Sequence, residues 1–75
     1  MNEAAIVDEL VSLCNPQGQY SEQTRNRVRQ IGESIFRQGG NDEMMRIHEA
    51  VASRGSRMHG RILEGYWGGI GDWWS

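Results

Sequence analysis

Apolar residues return every three or four positions in four stretches of this chain and alternate nowhere, so helices are expected and strands are not. The first stretch, about residues 3–14, carries Ile6, Val7, Leu10, Val11, Leu13 and Cys14 on one wide face. Asn2 suits its cap and Glu3 the positive end of its dipole, and Asn15-Pro16 stops it because proline disfavours helix in the preceding residue. Ser21 opens the second, about 22–38, where Val28, Ile31, Ile35 and Phe36 share a face with Gly32. A glycine inside a helix costs about 1 kcal/mol against alanine, so Gly32 points to close approach by another helix. Gly39-Gly40 ends that helix, and Asn41 caps a third over about 42–53 with Met44, Ile47, His48 and Val51 in register. Ser56 caps a fourth over about 57–67, turning Met58, Ile62, Leu63, Tyr66 and Trp67 inward despite Gly60 and Gly65. The expectation is one all-α domain over 1–75: a small bundle of three to four short helices with an ordered Trp/Gly-rich C-terminal tail at 68–75.

Size sets what such a bundle needs. A domain near this length buries only about 60% of the surface its unfolded chain exposes, so its stability margin is thin and a partner or a second copy is a natural supplement. One cysteine among 75 residues excludes an internal disulfide. With no basic, apolar leader at the N-terminus, the default location is intracellular and cytoplasmic, and Cys14 reads as a small buried hydrophobe. No apolar run approaches the ~18 residues that cross a bilayer, so no transmembrane segment is expected.

The net charge of −2 argues against a generic polyanion binder. It is spread unevenly: residues 1–20 carry −3, residues 21–40 carry +2 and residues 41–75 carry −1. Arg25, Arg27 and Arg29 lie within five residues of the second helix and suggest phosphate contact, with Arg57 and Arg61 adding charge. A helical wheel offers a plainer account for most of them. Glu22, Arg25, Arg29, Glu33 and Arg37 form one flank at i, i+3 and i, i+4 spacing, as in a solvated, salt-bridged face, and Arg27 stands apart. A helix-turn-helix is a poor fit, because the would-be recognition helix begins Asn41-Asp42-Glu43 and puts carboxylates where phosphates would lie.

All three tryptophans fall between Trp67 and Trp74, beside Tyr66, Ile70 and several glycines. Tryptophan anchors cores and interfaces alike, so Trp67 is read as a core anchor and Ile70, Trp73 and Trp74 as a partner contact. The competing account folds the indoles back to close a core that is otherwise too small. A membrane-surface tail is a further reading, opposed by Asp72 and the absence of lysine. The glycines match neither a Walker nor a dinucleotide loop. His48, His59 and Cys14 come singly from three helices without the paired spacings of metal modules, so no metal or other cofactor is expected.

The segments Ile31-Gly32, Gly39-Gly40, Met44 to His48 and Leu63-Glu64-x-x-Trp67-x-Gly69-Ile70-Gly71-x-Trp73 resemble short uncharacterised helical eukaryotic proteins over about residues 31–74. The resemblance implies that the tail belongs to the domain and carries over no activity or residue role. The reading favoured is therefore a non-enzymatic protein-interaction (adaptor or accessory) module working through its Trp-rich C-terminal surface. No small-molecule substrate is evident, and RNA or DNA binding through Arg25, Arg27 and Arg29 is the alternative.

Overall fold

Two serines set where the chain turns helical. In the computed structural model, which describes residues 3–18 and 21–71, Ser21 is extended and its hydroxyl accepts from the Thr24 amide at 3.1 Å. Ser56 repeats the device with the His59 amide. Each satisfies one of the amide donors that a helix start leaves unpaired. Among the described residues the fold is all-helical: α1 is Glu3–Leu13, α2 is Glu22–Arg54 and α3 is Arg57–Tyr66. After α1, the Asn15 side chain accepts from the Gln17 amide at 2.9 Å, giving the turn before Pro16 a local partner.

The stop expected at Gly39-Gly40 falls at Gly40, where α2 kinks between two helical arms. Gly40 has φ 70° and ψ −159°, a combination that only glycine tolerates, and helical hydrogen bonding resumes on its far side. The second and third expected helices are thus the two arms on either side of this kink, run together as α2. A straight helix of 33 residues would be about 50 Å long. The longest dimension of the molecule is 29 Å.

Both arms face one core. Val28, Ile31 and Ile35 come from the first arm, Met44, Ile47 and Val51 from the second, Val7, Leu10 and Cys14 from α1 and its end, and Leu63, Trp67 and Ile70 from α3 and the turns after it. The buried stripe of α3 is Gly60, Leu63 and then Trp67, at i, i+3 and i+7. Gly60, expected as a weak point, is a contact point: a Cβ there would lie 3.1 Å from the Ala52 Cβ and 3.3 Å from His48 Nε2. Two apolar residues expected inward, Phe36 and Met58, are exposed, as is Met45. Met58 loses its place because the α3 face is set by Gly60, Leu63 and Trp67, which puts position 58 on the outer side.

The uneven charge of the sequence is used inside the molecule. All three acids of the N-terminal block pair with α2. Glu9 pairs with Arg27 on the first arm, while Glu3 pairs with Arg46 and Asp8 with Arg54 on the second. Each pair is exposed and contributes little alone. Together they give α1 a polar match on both sides of the bend.

Candidate interaction surface

Trp67 is where the C-terminal segment meets the core. It is fully buried, and its indole Nε1 donates to the Val28 carbonyl at 2.9 Å, so the one polar atom of the ring is satisfied. The ring lies flat on Gly32, where a Cβ would fall 2.7 Å from Trp67 Cδ1 and 2.9 Å from Cε2. The close approach expected at Gly32 is therefore made by this indole rather than by a helix.

Arg29 fixes the turn that follows. Its Nη1 donates to the carbonyls of Tyr66 and Gly68, both at 2.8 Å, filling acceptors that a helix end leaves open. Ile70 then packs into the core, and its amide donates to the Trp67 carbonyl at 3.1 Å. Gly71 closes the described segment against Phe36 and Asn41: a Cβ there would lie 2.6 Å from Phe36 Cε1 and 2.5 Å from Asn41 Oδ1. Trp73 and Trp74, expected at a partner contact, lie outside the described residues, as do Asn2, Gln19, Tyr20 and Asp72. Of the expected contact residues, Ile70 is buried at 7% exposure, because the chain turns back at Gly69 and Gly71 and delivers its side chain to the bundle.

The three arginines of the nucleic-acid alternative have separate surroundings. Arg27 holds Glu9 through Nε at 2.7 Å and Nη2 at 3.0 Å. That bidentate pairing draws the Glu9 carboxyl below the ordinary glutamate range and raises the guanidinium. Arg29 serves the backbone, as described. Only Arg25 is left facing outward, into a cleft of about 480 Å³ lined by Leu13, Pro16, Ile62, Gly65 and Tyr66. Arg57 and Arg61 are exposed along a separate open cleft with His48 and Ser53. The opposite-charge flank expected on α2 gives way at Arg29, which turns to carbonyls of the C-terminal segment.

The residues weighed for a metal also have separate surroundings. Cys14 is fully buried, and loss of solvation pushes its thiol up to about 11, away from reactivity. His48 Nε2 lies 3.1 Å from both the Gly60 carbonyl and the Glu64 carboxylate, joining α2 to α3. His59 Nδ1 meets the Ser56 hydroxyl at 2.7 Å. No group of three or more metal-ligating side chains occurs among the described residues. None of their helices is long and apolar enough to cross a membrane.

Two features escaped the sequence. Phe36 and Met45 are exposed on either side of the bend, and Phe36 lies against the point where Gly71 passes. The role of Arg29 had a usable signal: Arg29, Gly32 and Phe36 follow i, i+3, i+7, which places that arginine on the stripe under the tail. Compared with known proteins, the chain matches no family model, no curated protein and no solved structure.

Proposed function

We propose that this chain is a small, non-enzymatic protein-interaction module of intracellular, cytoplasmic location whose contact is made by the segment after Gly71, with Trp73 and Trp74 as its anchors. The observation that carries the reading is that Trp67 and Ile70 close the core upstream of Gly71. The two later indoles therefore follow a core that has already received its large aromatic side chain. Tryptophan is the residue most enriched among interface hot spots. Exposed Phe36, which Gly71 passes, adds apolar area to the same surface. Ile70 belongs to the core in this reading, and the contact rests on the tryptophans. The buried, partnerless Cys14 is consistent with a reducing compartment.

The test compares partner capture by the full chain with that by a Trp73→Ala/Trp74→Ala variant. The variant is expected to keep its helicity and melting temperature and to lose capture. Undiminished capture would overturn the reading. RNA or DNA binding, the alternative, retains Arg25 from α2 together with exposed Arg57 and Arg61, and it requires affinity that falls steeply with salt.

A further inference from the structure

Arg25 is a guanidinium without a partner among the described residues, at the wall of a cleft whose other sides mix apolar Leu13, Pro16 and Ile62 with polar Asn15 and Tyr66. Leu13, Ile62 and Tyr66 are each half-buried there, and Pro16 flanks the opening. At the cleft edge is Gly65, around which a Cβ would meet nothing within 4 Å. Such a site suits a ligand that is aromatic and acidic together. An indole gains by covering apolar side chains and by stacking on a guanidinium, and a carboxylate gains by meeting the same cation. The chain contains one segment of that description, Asp72-Trp73-Trp74.

The same copy is badly placed to supply it. Gly71 is held beside Phe36 and Asn41, whereas Arg25 stands eleven residues nearer the start of α2, about 16 Å along the helix. From Trp67 beside Gly32 to Gly71 beside Phe36 the chain runs along α2 away from Arg25, and Trp73 follows only two residues later, so the same copy would have to reverse direction at once. A second copy has no such restriction, and two copies exchanging tails would fill both clefts through one two-fold relation.

We infer that the cleft around Arg25 receives the Asp72–Trp74 segment of a second copy of this chain, making the protein a self-associating module. This rests on the reading of Trp73 and Trp74 as contact residues and names their partner.

The test is sedimentation equilibrium of the full chain over a concentration series. Arg25→Glu and Asp72→Arg are each expected to weaken self-association by about tenfold or more, since each places like charges together. The double variant Arg25→Glu/Asp72→Arg is expected to restore it to within about threefold of the parent, as a coupled pair does when both signs are exchanged. Melting temperature checks that each variant folds, and exposed Arg25 contributes nothing to the core. A chain that stays monomeric at every concentration overturns the inference. So does association indifferent to both single reversals, or a double variant no better than either single one. A monomer that still captures another protein through Trp73 and Trp74 would refute self-association and leave the interaction reading standing.

Discussion

Replacing Gly32 by alanine separates two opposite effects of the same change. In an ordinary helix interior, alanine is better than glycine by about 1 kcal/mol. At Gly32 the added carbon would lie 2.7 Å and 2.9 Å from Trp67 ring atoms, well inside van der Waals contact. The indole would have to move, and overpacking of this kind costs about 1–3 kcal/mol. Moving it also stretches the 2.9 Å bond to the Val28 carbonyl and leaves a buried N–H unsatisfied, at about 1–3 kcal/mol more. The net expectation is a loss of about 2–3 kcal/mol, and for a domain of this size each kcal/mol shifts the midpoint by about 4–8 °C. Gly65→Ala is the internal control, because no atom lies within 4 Å of its added carbon and the residue is exposed in α3. It should hold or raise the midpoint. Thermal melts followed by circular dichroism at 222 nm, with tryptophan emission recorded in parallel, read both variants. A Gly32→Ala chain melting at or above the parent would refute the account of how Trp67 is seated.

Arg29→Ala should lower stability by about 1–2 kcal/mol through its two charged hydrogen bonds, and amide exchange should speed up at residues 67–71 in particular. Acid should weaken the link between α1 and α2: a Glu9 carboxyl held below its ordinary range stabilises the fold above that range, and the gain is lost as pH falls through the depressed value. Glu9→Gln should flatten that part of a stability–pH curve measured by urea unfolding. Cys14, raised to about 11 by burial, should resist a thiol reagent in the native protein and react promptly in denaturant. The same shift has the opposite sign in alkali, where stability should fall once pH passes the unfolded thiol's value, and Cys14→Ala should remove that decline.

Local signals were readable in the sequence, and distant ones were not. Ser21, Ser56 and Pro16 act within a few residues of themselves, so the helix starts and the first stop were legible. The break at Gly39-Gly40 was legible too, whereas the angle at which the second arm folds back was not, because it depends on the core that both arms share. Arg29 looked like one member of a charged flank, since its real acceptors, the carbonyls of Tyr66 and Gly68, lie 37 and 39 residues away. The N-terminal acids were legible only as a local excess of charge, and their partners are arginines of both arms. Phe36 fitted the apolar pattern of its helix, yet at that height near the bend it meets Gly71 and stays partly exposed. Trp67 was legible as a core anchor, whereas Ile70, expected at the contact, is a core residue as well. What remains of that contact after Gly71 is a matter for the experiments above.

The bend at Gly40 also says where the fold can be taxed without touching its core. Any other side chain there would have to be held at φ 70°, at a cost of about 1–3 kcal/mol. No atom lies within 4 Å of an added carbon, so the penalty is one of backbone conformation and not of crowding. The core that both arms share holds the bend against it, and a substitution at Gly40 would draw directly on the thin stability margin of a domain this size.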